Sequence, residues 1–133
     1  MKITLRLPIF LLLIGGLLFS CKTESPQSYD IVVYGGTSAG VMAAYTAKMK
    51  GKSVLLIEPG KHLGGLSASG LGETDIGNKF TVSGLSRDFY RRLGKYYDSF
   101  EAWRFEPHKA EAVFNQYIAE AGVEVLYEYR IIK

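Results

Sequence analysis

Apolar residues in this chain follow two alternating spacings, one typical of strands and the other of helices. Short β-branched and aromatic runs predict strands at 30–34, 53–58 and 123–127, the last with an open continuation toward residue 132. Apolar positions three or four residues apart predict helices at 39–50, 85–97 and 107–121, with Pro107 starting the last one and Gly122 ending it. This order indicates an α/β fold of Rossmann-like type, a parallel sheet with helices and strand order 3-2-1.

A glycine-rich turn joins the first strand to the first helix. It spans Gly35, Gly36, Thr37, Ser38, Ala39 and Gly40. Gly35 allows the tight turn and Gly40 allows the helix to pack closely on the strand, so unpaired amides at the helix N-terminus face an incoming anion. The middle glycine of the usual Gly-x-Gly-x-x-Gly pattern is replaced by Thr37. This threonine either holds a phosphate slightly farther away or donates a hydrogen bond to it.

The second predicted strand ends in a carboxylate, Glu58, eighteen residues after Gly40. At that place a carboxylate can accept both hydroxyls of an adenosine ribose, and it would repel a 2′-phosphate. The negative charge of Glu58 therefore disfavours an NADP-type ligand and leaves FAD and NAD open. The plain alternative is a solvated acid at the end of a strand.

A long loop rich in glycine and serine follows Glu58. Its six glycines are Gly60, Gly64, Gly65, Gly70, Gly72 and Gly77. They would let the backbone lie against an extended ligand, and Ser67 and Ser69 could donate to phosphate or ribityl oxygens. Loops of this length that lack their own secondary structure usually bind something or are disordered, so a flexible surface loop is the alternative.

From Tyr29 onward the chain resembles FAD-dependent oxidoreductases of the glutathione-reductase-like superfamily. The resemblance is to a bacterial, often exported group whose members are sometimes labelled xanthan lyases. Its motifs are matched by residues 34–40, 58–60, 62–65, 69–75 and 105–108. The resemblance implies an FAD-binding fold in which Gly35 to Gly40 hold the pyrophosphate, Glu58 holds the ribose and Gly64 to Gly72 follow the rest of the cofactor.

The first twenty residues predict a lipoprotein signal peptide. Lys2 and Arg6 precede an apolar stretch at 7–19, which is too short to span a bilayer, and Ser20 precedes Cys21 as in a lipobox. We therefore expect a lipid anchor at Cys21, a tether at 21–28 and the Rossmann-like domain at 29–133. A plain signal peptide or a signal anchor are the alternatives. The expected location is the bacterial cell envelope, at the outer membrane or facing the periplasm.

Charge and cysteine content exclude several functions. Cys21 is the only cysteine, so these residues contain no disulfide and no redox Cys-x-x-Cys pair. The two histidines, His62 and His108, lack the spacing of zinc ligands, and no metal site is expected. Removal of Lys2 and Arg6 leaves a nearly neutral domain, which gives no electrostatic reason to expect a nucleic acid partner.

Catalytic residues are not assignable from the sequence. The basic positions Arg87, Arg91, Arg92 and Lys95 are expected to form a solvated helix face. Two groups remain candidates without a defined role: one before the last helix, which could also serve packing and capping, and one in the loop. They are Trp103, Phe105, Glu106 and His108, and His62 and Asp75.

Three predicted strands make only part of the sheet that such an enzyme requires. We therefore expect the N-terminal part of an oxidoreductase that moves a hydride or electron pair between FAD and an unidentified small molecule. The fragment alone is then expected to be inactive. The competing hypotheses are an NAD- or ADP-ribose-binding module and a non-catalytic, truncated remnant. The oligomeric state is not predicted.

Overall fold

A computed structural model describes residues 27–71, 73–74 and 76–132. The strands are β1 (Ile31–Tyr34), β2 (Val54–Glu58) and β3 (Glu124–Tyr127), and the helices are α1 (Ser38–Met49), α2 (Gly84–Gly94) and α3 (Pro107–Ala121). Two short 3-10 turns lie between β2 and α2, at Gly65–Ala68 and Lys79–Thr81. The predicted signal peptide, Cys21 and most of the tether lie outside the described residues.

The three strands form one parallel sheet in the order β1-β2-β3. Tyr34 pairs with Ile57, and Glu58 pairs with Tyr127, so the carboxyl ends of all three strands meet at one edge of the sheet. The prediction of an α/β, Rossmann-like parallel sheet with its third strand beside the second is confirmed.

The helices cover one face of this sheet. Val33, Leu56 and Val125 belong to or pack against the core, whereas Val32 and Tyr34 on the alternate positions of β1 are 53% and 50% exposed. The predicted apolar stripe of α3 is buried, with Ala110, Val113, Phe114, Tyr117 and Ile118 in the core. None of the helices in the described part of the chain is both long enough and apolar enough to cross a bilayer.

Element boundaries differ from the predictions by a few residues. The strands begin one residue later than predicted, at Ile31, Val54 and Glu124. Asp30 and Ser53 instead bond each other through their side chains ahead of the sheet. The third strand ends at Tyr127 and has no continuation toward residue 132.

Helix α2 ends at Gly94 instead of residue 97. A Cβ at Gly94 would collide with the carbonyl oxygen of Ser99, so the chain after the helix folds back directly over this glycine. The amide of Ser99 donates to the Gly94 carbonyl at 3.0 Å, and that of Tyr97 does so too. The apolar spacing seen up to Tyr97 therefore belongs to a helix followed by tight turns.

The prediction that the basic residues of α2 form a solvated face is wrong for two of the four residues. Arg87 donates to Glu101 at 2.7 Å, and the guanidinium of Arg92 lies over the ring of the fully buried Tyr117 with only 17% of its side chain exposed. Arg92 also donates to Asp88 and Glu120, which ties α2 to α3. The sequence spacing could not show these partners, because Glu101, Tyr117 and Glu120 lie outside α2.

The Asp88 carboxylate completes this link between the helices. It accepts hydrogen bonds from the Tyr117 hydroxyl at 2.6 Å and from Arg92 at 2.7 Å. Burial opposes the charged form, but the hydrogen bonds from Tyr117 and Arg92 outweigh it and hold the pKa of Asp88 below its ordinary value. The charged residues here therefore stabilise the helix layer.

Candidate functional site

The turn between β1 and α1 lies at the carboxyl edge of the sheet. Gly35 has φ +101°, a backbone conformation that favours glycine, and its amide donates to the Ile57 carbonyl at 2.7 Å. A Cβ at Gly40 would collide with the Gly35 carbonyl oxygen. The first turn of α1 therefore sits directly on the end of β1, and only glycine allows this approach.

Thr37 caps the N-terminus of α1. Its side-chain oxygen accepts a hydrogen bond from the Gly40 amide at 3.1 Å, and its carbonyl accepts from Val41 at 2.9 Å. Among the residues that the structure describes, none accepts from the amide of Ala39. The hydroxyl hydrogen of Thr37 is not used in the cap, so both groups can donate to an anion at the helix end.

Glu58 reaches back from the end of β2 to the same turn. Its Oε2 accepts from the Gly36 amide at 2.6 Å, and its Oε1 accepts from the Gly60 amide at 2.5 Å. An added Cβ at either glycine would lie 2.9 Å from a Glu58 oxygen. A carboxylate offers about four acceptor positions, so two remain for other donors.

The loop after Glu58 is anchored against the turn. The amide of Gly64 donates to the Gly36 carbonyl at 2.7 Å, and Gly64 itself has φ +104° with no room for a Cβ beside the Phe114 ring. Gly65 packs against Thr37, where an added Cβ would lie 3.2 Å from the Thr37 Cα. The expectation of a loop without secondary structure is wrong for the 3-10 turn that begins at Gly65.

The two predicted loop serines have different surroundings. Ser69 donates to the Gly65 carbonyl at 2.8 Å, so its hydroxyl hydrogen is already used within the loop. Ser67 borders a cleft at the N-terminus of α1. Gly70 has φ +139° and faces open space. Gly72 and Asp75 lie outside the described residues.

A cleft of about 330 Å³ opens beside the helix N-terminus. It is lined by Ser38, Ala39, Met42, Ser67, Ser86, Phe89, Tyr90 and Phe114. Serine residues therefore line the cleft together with an aromatic wall of Phe89, Tyr90 and Phe114. Sequence reasoning missed Met42, Ser86, Phe89, Tyr90 and Phe114 as site residues. The one available signal was that Ser86 and Tyr90 are four residues apart, on one face of α2.

The residues before α3 do not border the cleft. Trp103 is buried and stacks on Tyr90 with ring centroids 3.8 Å apart, and Phe105 packs edge-on against Phe89. Glu106 accepts a hydrogen bond from the Tyr97 hydroxyl. His108 is exposed. Packing thus accounts for Phe105 and a local hydrogen bond for Glu106, whereas the buried Nε1 of Trp103 has no hydrogen-bond partner among the described residues.

His62 lies in the loop after β2 and makes a polar contact with α3. Its Nδ1 is 2.9 Å from Glu111 Oε1, and 71% of the His62 side chain is exposed. The Tyr127 ring also stands at this end of the sheet, where burial, Glu111 and Glu58 all raise its pKa. Glu58 and Glu111 thus both lie close enough to Tyr127 to disfavour its phenolate form.

Together these residues suit a ligand that carries both a phosphate and a diol. The α1 N-terminus offers donors, Glu58 offers two acceptor positions, and the glycines leave the backbone accessible. Gly36 connects Glu58 to the loop, because its amide donates to the Glu58 carboxylate and its carbonyl accepts from the Gly64 amide.

Comparison with protein families gives one match that covers most of the chain. The model of a family described as "FAD dependent oxidoreductase" matches residues 30–133. The match includes the turn after β1, Glu58, the loop after β2 and all three strands.

Curated relatives match shorter segments. A vinyl phenol reductase of Lactiplantibacillus plantarum is 58% identical over 41 residues, which are 31% of this chain and 8% of that protein. A 3-oxosteroid 1-dehydrogenase of Mycolicibacterium smegmatis is 42% identical over 52 residues, 39% of this chain and 9% of that protein. The matched segments thus span less than a tenth of these relatives.

Solved structures share the fold at low sequence identity. Thermovibrio ammonificans THI4 is 19% identical with a TM-score of 0.52, and the match covers 95% of this chain and 48% of THI4. OTEMO, solved in complex with FAD and NADP, is 18% identical with a TM-score of 0.53, covering 80% of this chain and 20% of OTEMO. An oxidized steroid monooxygenase bound to NADP gives the same identity and TM-score.

Proposed function

We propose, from the premise that this chain belongs to the FAD dependent oxidoreductase family, that the carboxyl edge of its sheet binds FAD, with the ADP half at the turn and Glu58 and the ribityl chain along the loop. FAD is the cofactor of that family. The observation that carries the assignment to this edge is the junction at Gly36. There the pyrophosphate-type turn, the Glu58 carboxylate and the loop at Gly64 are joined by hydrogen bonds.

Each part of the edge has a role in this proposal. The turn from Gly35 to Gly40 holds the pyrophosphate, with the Ala39 amide and the Thr37 hydroxyl as donors and the partial positive charge of α1 behind them. Glu58 accepts the ribose hydroxyls with its two remaining positions. Residues 64–70 lie along the ribityl chain, and the Ser69 oxygen accepts hydrogen bonds from the hydroxyls of that chain.

The proposed activity of the whole enzyme is transfer of a hydride or electron pair between FAD and a small molecule. Bound flavin supplies this redox chemistry, and the chain binds and orients it. The aromatic wall of the cleft and the names of the two curated relatives favour an organic substrate with an apolar skeleton. The residues described here contain no assigned acid, base or nucleophile for it.

We also propose export and lipid anchoring at Cys21. Support comes from the basic start, the apolar stretch at 7–19 and the Ser20-Cys21 pair. The protein would then reside in the bacterial cell envelope, on the outer membrane or facing the periplasm, with no nucleic acid partner. An intact-mass measurement of envelope-expressed protein should show a diacylglycerol adduct on a chain that begins at Cys21. An unmodified mass would contradict the anchor.

The cofactor proposal is tested by titrating the purified chain with FAD and recording flavin absorbance and melting temperature. We expect retained flavin and a raised melting temperature. The Glu58→Ala variant should bind FAD about tenfold or more weakly, because it loses charge-assisted hydrogen bonds to the ribose and to the turn. Glu128→Ala is the matched control, since its exposed carboxylate pairs only with Lys61 among the described residues.

The same titration separates the competing functions. A folded, colourless protein that responds to NAD or ADP-ribose but not to FAD would favour a nucleotide-binding module. A chain that aggregates and binds neither ligand would favour a non-catalytic remnant. Either result contradicts FAD binding by this chain.

A further inference from the structure

Three lysines lie at the edge of the sheet opposite the candidate site. Helix α1 runs antiparallel to the strands, so Lys48 and Lys50 at its C-terminal end stand at the amino ends of β1 and β2. Lys52 follows in the turn that leads into β2. Twelve helical residues span about 18 Å, which separates these lysines from the N-terminus of α1 by the full length of the helix.

The segment that carries these lysines is here called the lysine edge (Lys48, Met49, Lys50 and Lys52); Lys48 is half-buried and the other three residues are exposed. Met49 is 60% exposed. None of the three lysines has an ion-pair partner within residues 27–71, 73–74 and 76–132.

Acidic residues also stand at this edge, among them Asp30 before β1 and Glu124 at the start of β3. Asp30 accepts from the amide and hydroxyl of Ser53 at 2.8 and 2.9 Å. Glu124 accepts from Tyr29 and Gln27. Hydrogen bonds from these neutral groups leave both carboxylates negatively charged, and the Ser53 hydrogen bonds together with the nearby charge of Lys52 lower the pKa of Asp30. Lys48 and Lys50 carry the ammonium groups that have no acidic partner within the described part of the chain.

The N-terminal chain enters the fold at this same edge. Gln27 and Tyr29 donate to the Glu124 carboxylate at 3.2 and 2.7 Å, which holds the segment before β1 across the start of β3. Cys21 precedes Gln27 by six residues, so even a fully extended connection spans only about 20 Å. An anchor at Cys21 would keep the lysine edge close to a bilayer.

We propose that the lysine edge contacts the headgroups of anionic phospholipids. The proposal rests on the lipid anchor proposed at Cys21, which brings the edge to the membrane. Lysines attract an anionic surface within about a Debye length, and each contributes roughly a fivefold gain in binding. In this orientation the carboxyl edge with the candidate FAD site faces away from the bilayer and is open to an aqueous substrate.

The lysines could instead only stabilise the C-terminal end of α1 by interaction with its dipole. That effect does not depend on lipid composition. The two roles therefore differ in one measurable property, the response of residues 48–53 to anionic headgroups.

The test is hydrogen exchange of the full chain reconstituted on vesicles of phosphatidylcholine alone or of equal parts phosphatidylcholine and phosphatidylglycerol. We expect amides 48–53 to exchange at least about fivefold more slowly on the anionic vesicles. The triple variant Lys48→Gln, Lys50→Gln, Lys52→Gln should lose this protection. The control triple variant Lys61→Gln, Lys79→Gln, Lys95→Gln removes the same charge elsewhere and should keep it.

Equal exchange of residues 48–53 on both kinds of vesicle would overturn the proposal, as would an equal loss of protection in the two triple variants. All variants share the same N-terminus, so the comparison holds whatever attaches the chain to the vesicle. The intact mass reports separately on lipidation at Cys21. Failure of the anchor and failure of the lysine edge are thereby distinguished.

Discussion

The two glycine-rich segments of this protein use glycine for different physical reasons. In the turn after β1, Gly36 and Gly40 lack space for a side chain, because Glu58, Leu63 and backbone atoms occupy it. In the loop after β2, Gly70 and Gly77 face open space and have positive φ instead. The turn is therefore constrained by packing at Gly36 and Gly40 and by backbone conformation at Gly35, whereas the outer part of the loop is constrained by backbone conformation alone.

This difference indicates where the site is rigid before any ligand binds. The Gly36 junction is held by Glu58 and Gly64, each through a short hydrogen bond. Gly64 belongs to the packed class, although it lies in the loop, because Phe114 occupies the position of a Cβ. Rigidity thus extends from the turn into the first part of the loop and ends before Gly70.

The largest effect is expected for Gly40→Ala. Its Cβ would meet the Gly35 carbonyl, which is backbone and cannot move aside, so we expect a loss of about 3 kcal/mol or more in the free energy of unfolding. Gly51→Ala is the control at the other end of α1, where φ is +78° and space is open, with a cost of about 1 kcal/mol. Urea unfolding measures both. Equal stabilities would show that the turn is not tightly packed.

Within the loop, Gly64→Ala should cost about 2 kcal/mol more than Gly70→Ala. Both variants strain a residue with positive φ, but only the first also displaces the Phe114 ring, which stacks on Phe89 in the core. Denaturant midpoints of the two variants give the comparison. A larger loss of stability in Gly70→Ala would show that packing does not distinguish the inner part of the loop from the outer part.

Replacing Glu58 by Gln should lower the free energy of unfolding by about 1.5 kcal/mol. The amide group of Gln can accept from only one of Gly36 and Gly60, and its NH₂ would oppose the other amide. Glu128→Gln changes the same charge at an exposed position and should shift stability by less than about 0.5 kcal/mol. Proton exchange rates at the Gly36 and Gly60 amides, measured without ligand, would locate the effect.

The smallest effect is expected at the helix cap. Thr37→Val keeps the shape of the side chain but loses the hydrogen bond from Gly40, so about 1 kcal/mol should be lost. Thr37→Ser keeps the oxygen and should stay close to the parent protein in a thermal melt. A Val variant as stable as the Ser variant would show that the cap is not formed.

Much of the fold follows from local patterns. The bounds of α3 are predicted correctly, because Pro107 and Gly122 mark the ends of a regular apolar stripe. The end of α2 is predicted three residues too late, since Tyr96 and Tyr97 continue the apolar spacing although Gly94 has already turned the chain. Spacing alone does not distinguish a helix from turns that follow it.

The residues of the candidate site were likewise predicted only in part. Its turn, Glu58 and the loop are recognisable from residue types, but Ser86 and Tyr90 are not, because nothing local indicates that α2 stands beside the N-terminus of α1. Arg92 illustrates the same limit. A basic residue on an amphipathic helix suggests a solvated face, and only the position of Tyr117 on α3 shows otherwise.

The amino-acid sequence by itself determined the order of strands and helices, the parallel α/β class and the position of the glycine turn and its acid. These depend on periodicity and on backbone freedom, which act over a few residues. Only the tertiary structure decided that Glu58 accepts a hydrogen bond from Gly36 across 22 positions and that the Phe114 ring leaves no room for a Cβ at Gly64. It also placed the lysine edge and the candidate site at opposite edges of the sheet. Those contacts join residues far apart in the chain, and their energies arise only when packing brings them together.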